Sequence, residues 1–334
     1  MPRLPVDGAG DMDDRGNAMD GTSGDKRMKD IRPIFIIGAP RSGTSITTWA
    51  LGQHPNIQPM PETAWIASMA VSAYLSYGKG SERGRFSHLS NVEFPLPPFM
   101  ARIGEAVDAI VHDAFAERCV RFYGDRARDP AWTLPANRQH VPMQIKRSGS
   151  DPKRRWIDGT PLNSFYTWAL AQMFPQALFI HNLRRPHEVA TSLESFDKVG
   201  AEPQALEQGL ETWISHTENA WHAERGLGSR RVFRLHFERI ADEPEALFRE
   251  VCDFLGEPFH PDCLLPLRQK LNSSEVADKR EANLAMLHDN EAFRRATATY
   301  QAVMARPGSA QPDPGALDVI RQRFMDYCVS RSII

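Results

Sequence analysis

The segment IFIIGAPRSGTSITT, residues 34–48, constrains the fold of this chain more than any other stretch. Four apolar residues lead to Gly38, a short loop holds Arg41 and Gly43, and a helix-compatible run begins near Thr44. This order predicts a buried strand, a tight turn and a helix N-terminus. The first amides of a helix have no intrahelical acceptor and lie at the positive end of its dipole. The turn, which we call the anion loop (residues 38–45), therefore favours a bound phosphate or sulfate.

The same alternation of strand and helix resumes in the second half of the chain. Apolar strand candidates at 155–158, 177–182 and 231–237 alternate with helix candidates at 164–174, from Pro186, at 206–224 and at 244–255. Repeated strand-then-helix units predict an α/β fold with a central parallel sheet between two helical layers, as in P-loop NTPases. Ligands of such sheets bind at the carboxyl ends of the strands.

The chain otherwise divides by composition. Residues 1–31 are polar and rich in Gly and Asp, which is typical of a disordered tail, and residues 32–334 are expected to form one domain. Within it, the Gly-, Ser- and Pro-rich stretch 78–98 predicts a long surface loop that opens a substrate-side insertion over 78–152. Helices over 102–122, 290–305 and 315–330 are also expected, the last two within a C-terminal helical segment, 271–334.

Charge and cysteine content exclude several classes of protein. With 40 basic and 42 acidic residues, no overall field favours nucleic acid, so any anion site must be local. No apolar run approaches the roughly 18 residues that span a bilayer. The four cysteines are far apart and show no CxxC spacing, which favours reduced thiols in a cytoplasmic protein over a disulfide framework or a zinc site.

The anion loop is not a Walker A motif. Thr44 stands where that motif requires Lys, and the cation nearest to the loop is Arg41, inside it. A kinase also needs an acidic residue after a neighbouring strand to hold magnesium, and the strand at 177–182 is followed by Leu183 and Arg184. A metal-dependent phosphoryl transferase is disfavoured. A structural glycine turn without a ligand is the other alternative.

Three motifs in order carry a resemblance to a known family. The loop GAPRSGTS looks like the 5'-phosphosulfate loop of sulfotransferases that use 3'-phosphoadenosine 5'-phosphosulfate (PAPS), in the bacterial and tyrosylprotein branch. The segment LFIHNLRRPHEVATSL resembles the family's second motif, and FRLHFERIADEPEALFREVCDFLGEPF is similar to its third. The resemblance implies a P-loop-like fold, direct sulfuryl transfer to an acceptor hydroxyl, no metal, and a small-molecule, glycan or peptide acceptor.

Residue by residue, the resemblance implies two groups of donor contacts. Arg184 and Ser192 fall on the 3'-phosphate, and the 5'-phosphosulfate falls to Arg41, Ser42, Gly43, Thr44 and Ser45. Arg suits both places because it is always charged and grips two oxygens at once. Two roles are open for Arg185: a contact with the phosphate, or a solvated side chain.

Glu62 is the candidate general base. In the tyrosylprotein branch a Glu follows the loop after a His-Pro pair, and here His54-Pro55 leads to Glu62. The alternative is that Glu62 only caps the helix that begins beside it. His54 is interpreted as a structural residue. Arg41 stabilises the leaving oxygen but has too high a pKa to donate a proton.

One position departs from the family. Members often carry Lys where this chain has Gly159, so a cation on the transferring group is missing. Candidate replacements are Lys146, Arg147, Lys153, Arg154 and Arg155, although a solvated basic loop explains them too. Asp158 and Thr160 are candidates to touch the acceptor. The missing Lys leaves a second hypothesis open, namely a noncatalytic module that binds PAPS or its product PAP.

Overall fold

The computed structural model describes residues 31–129, 131–132, 153–196, 202–268, 283–284, 287 and 290–331. The predictions made for residues 1–30 and for Lys146 and Arg147 lie outside the described residues.

Five parallel strands form the centre of the described fold. They are β1 (Ile34–Ile37), β2 (Ile57–Pro59), β3 (Arg155–Asp158), β4 (Leu178–Leu183) and β5 (Val232–His236). The strand order is β2-β3-β1-β4-β5, and Ile34 of β1 is in register with Ile157 of β3 and Leu178 of β4. The predicted central parallel sheet is confirmed. The short edge strand β2 was missed, because it is three residues long and ends in a proline that cannot donate to a ladder.

Helices connect the strands and cover both faces of the sheet. The longer ones are α1 (Thr44–Leu51), α2 (Trp65–Ser81), α3 (Leu96–Tyr123), α4 (Asn163–Met173), α5 (Pro186–Leu193), α6 (Leu206–Leu227), α7 (Pro244–Leu255), α8 (Glu291–Ala305) and α9 (Pro314–Arg331). Single helical turns lie at Gly84–Phe86, His88–Asn91, Asp125–Arg128, Arg239–Asp242, Pro261–Leu264 and Pro266–Arg268.

Two of the hydrophobic cores formed by the described residues follow from the alternation of side chains along β1. Phe35 and Ile37 point into a core shared with α2, α3, α4 and α9, whereas Ile34 and Ile36 point into a second core with α1 and α7. All four side chains are fully buried. A strand covered on both faces reads as a continuous apolar run, which is the pattern from which β1 and β4 were predicted.

The predicted surface loop at 78–98 is wrong in most of its length. Helix α2 continues to Ser81, two helical turns follow, and α3 begins at Leu96, six residues before the predicted start. Gly80 was counted as a loop residue, but its missing side chain makes room for Leu89, whose Cδ1 would lie 2.6 Å from a Cβ there. The prolines after Leu96 occupy the first turn of α3, where the absent N–H costs no hydrogen bond.

A search of the described residues for a helix with the length and hydropathy of a membrane span finds none.

Candidate active site

The anion loop follows the central strand β1 and lies at the carboxyl edge of the sheet, between the ends of β3 and β4. Two of its glycines have positive φ, 130° at Gly38 and 98° at Gly43. A Cβ on Gly38 would lie 2.4 Å from the carbonyl oxygen of Asn182, and one on Gly43 would lie 2.4 Å from the Phe237 ring. The loop therefore reaches this position only because neither residue has a side chain.

Hydrogen bonds to neighbouring elements hold the anion loop in place. Ser164 of α4 accepts a hydrogen bond from Gly38 N at 2.8 Å, and Asn182 Nδ2 donates to Thr47 Oγ1 of α1 at 2.9 Å. The Ser42 hydroxyl donates to the Ala39 carbonyl at 2.6 Å and is buried. Ser42 N also donates to the Ala39 carbonyl, at 3.1 Å, so both donors of Ser42 are engaged inside the loop and brace it.

The N-terminus of α1 has the features of an anion site. No side chain of the described residues caps this helix, whose N-cap is Gly43, and its first turn carries no acidic residue. Arg41 adopts a left-handed backbone with φ 67° and is half-buried beside this terminus. Free amides and guanidinium groups donate hydrogen bonds to sulfate and phosphate esters, and the helix dipole adds a favourable electrostatic field.

The segment 184–192, which we call the arginine turn, contacts the anion loop directly. Arg41 Nε donates to Ser192 Oγ at 2.9 Å, and Arg184 Nη1 donates to the Arg41 carbonyl at 2.9 Å. Arg41, predicted to bind the 5'-phosphosulfate, and Ser192, predicted to bind the 3'-phosphate, are therefore joined by one hydrogen bond. Arg184 also pairs with Glu188 at 3.0 Å and lies 4.3 Å above the Phe237 ring. Sequence reasoning missed Glu188, although its place four residues after Arg184 on a helix was a usable signal.

Arg185 differs from Arg184 in its surroundings. Its side chain is 54% exposed and lies 3.7 Å from Glu188 and 3.8 Å from Glu238. Exposed ion pairs of this kind contribute little to stability. Arg184 is therefore buried against the anion loop, whereas Arg185 lies largely in solvent.

Glu62, the predicted general base, lies between β2 and α2 in residues 62–64, which we call the base segment. Among the described residues no side chain caps α2 through a hydrogen bond, so the geometry gives no capping bond to Glu62. The side chain is largely open to solvent, yet partial shielding raises the pKa of its carboxyl group, and the charge of Asp158 raises that pKa further. Both effects bring the pKa of Glu62 closer to neutral pH, where a general base works best.

Asp158 is fully buried at the end of β3 and accepts hydrogen bonds from three residues. Its partners are Thr63, Thr160 and Asn163. Burial raises the pKa of Asp158, and these hydrogen bonds oppose the rise. Since Asp158 is buried, as is Thr160, the expectation that these two residues touch the acceptor has no support in the geometry.

Gly159 has a packing reason to lack a side chain. A Cβ there would lie 2.3 Å from Thr48 Oγ1 and 3.4 Å from the Thr44 carbonyl, both on α1. Two of the candidate replacement cations are engaged at the opposite end of β3: Lys153 Nζ donates to the His54 and Ile57 carbonyls, and Arg155 to the carbonyls of Arg32 and Leu255. They do not reach the carboxyl edge, and Arg154 is exposed beside them.

Two buried histidines have structural contacts. His54 Nδ1 accepts from Asn56 N at 3.1 Å and its Nε2 lies 2.8 Å from the Pro258 carbonyl, as the structural interpretation of His54 requires. His216 of α6 was not singled out in the sequence. Burial lowers its pKa to about 4, against opposing contacts with the Pro161 and Gly38 carbonyls, and its ring packs edge-on against Phe165. His216 thus connects α6 to Gly38, the first residue of the anion loop.

The chain is similar to several known proteins. An uncharacterized protein of Aquifex aeolicus is 27% identical over 68% of this chain and 26% of its own length. The protein-tyrosine sulfotransferase of Drosophila melanogaster is 22% identical over 72% of this chain and 40% of its own length. The chain thus spans well under half of these curated relatives. The sulfotransferase domain from the curacin biosynthetic pathway superposes with a TM-score of 0.48 at 18% identity, covering 81% of this chain and 98% of that domain. The family model for sulfotransferases matches residues 33–261, and the chain therefore belongs to the sulfotransferase family.

Proposed function

We propose that this protein is a PAPS-dependent sulfotransferase that moves a sulfuryl group directly to an acceptor hydroxyl. The observation that carries the proposal is the contact between the open N-terminus of α1, Arg41 and the arginine turn. Two anion-binding elements meet there at the carboxyl edge of the sheet, where α/β folds bind ligands. Membership of the sulfotransferase family supports the same conclusion.

The residues present suit a donor with two anionic groups. The α1 amides with Arg41, Gly43, Thr44 and Ser45 would hold the 5'-phosphosulfate, and Arg184 with Ser192 would hold the 3'-phosphate. Ser42 would contribute by shaping the loop, since its hydroxyl and its amide both donate to the Ala39 carbonyl. When bound, PAPS supplies an activated sulfuryl group on a phosphosulfate anhydride. The Arg41–Ser192 hydrogen bond keeps both elements in register for one ligand.

Transfer needs a base on one side of the sulfur and positive charge on the other. Glu62 would take the acceptor's proton as its oxygen bonds to sulfur, while the bond from sulfur to the bridging oxygen breaks in line. The electron pair of that bond stays on the 5'-phosphate of PAP. Arg41 and the α1 amides would stabilise this charge without donating a proton. No step requires a metal ion in this scheme.

For the acceptor and the cellular compartment, the proposal names a class only. The Drosophila relative is named for protein tyrosine, and a phenol or another hydroxyl on a small molecule, glycan or peptide is compatible with a Glu base. The four cysteines are buried as thiols and not joined in disulfides, which supports a cytoplasmic enzyme. We also infer that residues 32–334 form one domain.

The test is a transfer assay with sulfur-labelled PAPS at saturating donor and a panel of phenol, sugar and peptide acceptors. We expect Glu62→Gln to lower kcat at least 100-fold with donor affinity nearly unchanged, because only the base is lost. Arg41→Ala should lose both. Glu82→Gln, a carboxylate at the far end of α2 paired with Lys79, is the matched control and should behave as wild type.

Two rival functions give different results in the same assay. A noncatalytic module would bind PAP with Glu62→Gln unchanged and would transfer no label with any acceptor. A nucleotide kinase would turn over ATP with magnesium and ignore PAPS. Full activity of Glu62→Gln would remove Glu62 as the base, and normal kinetics of Arg41→Ala would refute the donor site.

A further inference from the structure

We propose that Asp158 is a positioning residue: its buried carboxylate holds the base segment in a fixed place relative to the anion loop. The inference rests on the proposed role of Glu62 and adds the group that sets its geometry. Asp158 does not contact the reacting atoms in this assignment; it acts through Thr63, the residue that follows Glu62.

A closed ring of hydrogen bonds carries the inference. Thr63 N donates to Thr160 Oγ1 at 2.8 Å, and Thr160 Oγ1 donates to Asp158 Oδ1 at 2.6 Å. Thr63 Oγ1 donates to Asp158 Oδ2 at 2.9 Å. The residue next to Glu62 is thus held through both its backbone and its side chain, and both connections end on one carboxylate.

The same turn is fastened to the anion loop. Gly159 packs against Thr44 and Thr48 on α1, the helix that begins at the loop. Five residues after Asp158, Asn163 Nδ2 donates to Asp158 Oδ2 at 3.1 Å, and Ser164 then bonds Gly38. Residues 158–164 therefore connect the base segment on one side to the donor loop on the other.

The base segment needs such support because it is strained. Ala64 has φ 39° and ψ −36°, a backbone conformation that residues with a side chain rarely adopt. Strain of this kind costs on the order of 1–3 kcal/mol and persists only where neighbouring contacts determine the conformation. The bonds of Thr63, one residue earlier, supply those contacts.

Asp158 also influences Glu62 by its charge. Each oxygen of Asp158 accepts an N–H, from Thr160 N at 3.1 Å and from Asn163 Nδ2 at 3.1 Å, as well as a hydroxyl. Four donors around one carboxyl group suit the ionised form, which only accepts. Among the described residues, Asp158 is the charged group whose field raises the pKa of Glu62.

The experiment removes one bond at a time in the full chain. Thr63→Val deletes the Thr63 hydroxyl that donates to Asp158, and Thr63→Ser keeps a hydroxyl there. The matched control is Ser72→Ala, which removes an exposed α2 hydroxyl that donates to the Ser68 carbonyl within its own helix. We expect Thr63→Val to lower kcat 10- to 100-fold, on the order expected for a displaced catalytic group. PAP affinity should stay within about twofold, with Thr63→Ser restoring most of the turnover.

Asp158→Asn supplies the second readout, a pH profile of kcat. Removing the negative charge should move the acidic limb to lower pH, because the pKa of Glu62 falls, whereas Thr63→Val should leave the limb in place. Wild-type kcat in Thr63→Val, or an unshifted limb in folded Asp158→Asn, would overturn the inference. Should Asp158→Asn fail to fold, the comparison of kcat between Thr63→Val and Thr63→Ser tests the inference by itself. If Glu62→Gln is fully active, Glu62 is not the base and the inference falls with that assignment, whereas absence of label transfer by the wild-type chain would mean that the proposed function itself has failed.

Discussion

Restoring a side chain at Gly159 tests why this chain lacks the family's Lys. A Cβ would lie 2.3 Å from Thr48 Oγ1, about 1 Å inside ordinary contact. The φ of Gly159 is not in the left-handed region, so the clash acts without backbone strain. Thr48 cannot swing away freely, because its hydroxyl donates to the Thr44 carbonyl at 2.9 Å. Overpacking of a buried site costs about 1–3 kcal/mol, and we expect Gly159→Ala to lower the free energy of unfolding by about 2 kcal/mol.

A double-mutant cycle identifies the clashing atom. Thr48→Ala removes it, so Gly159→Ala in the Thr48→Ala background should cost less than about 0.5 kcal/mol. Thr48→Val keeps a heavy atom in the same place and should preserve the full cost. Gly159→Lys should resemble Gly159→Ala, since both introduce the same Cβ. The measurement is urea unfolding with extrapolation to water. A Gly159→Ala protein as stable as wild type, or equal rescue by Thr48→Val and Thr48→Ala, would refute the packing argument.

Two further predictions concern the donor and the pH range. A donor without its 3'-phosphate should bind at least about 10-fold more weakly, because charge-assisted bonds from Arg184 and Ser192 are lost; equal affinity in a competition assay would disprove the arginine turn as a phosphate site. The pKa of His216 is lowered in the folded state to about 4, so the unfolded chain binds a proton that the native state excludes. Its contribution to stability is complete above about pH 6.5 and falls as the pH drops toward 4. His216→Gln should flatten the dependence of the thermal midpoint on pH in that window, and an unchanged slope would show that another group controls it.

Local sequence patterns were sufficient to predict most of the strands and helices. The apolar runs at β1 and β4 were recognised because both faces of these strands are covered, and α7 was predicted with its observed bounds, with Gly256 in the left-handed conformation that ends it. The loop prediction at 78–98 failed because Gly80 and the prolines after Leu96 have roles in helix packing and helix initiation that composition does not distinguish from loop roles. The donor residues and Glu62 as base remain predictions.

By itself, the sequence determined the strand, glycine turn and helix N-terminus of the anion loop, since these depend on neighbours a few residues apart. Tertiary structure alone decided how the site is assembled. The bond from Arg41 to Ser192 joins residues 151 positions apart, and the bond from Thr63 to Asp158 joins residues 95 apart. No local pattern encodes such pairs, because packing of the parallel strands brings their carboxyl ends to one edge only after the sheet has formed. The buried Asp158, the strained Ala64 and the close approach of Gly159 to Thr48 become visible only there.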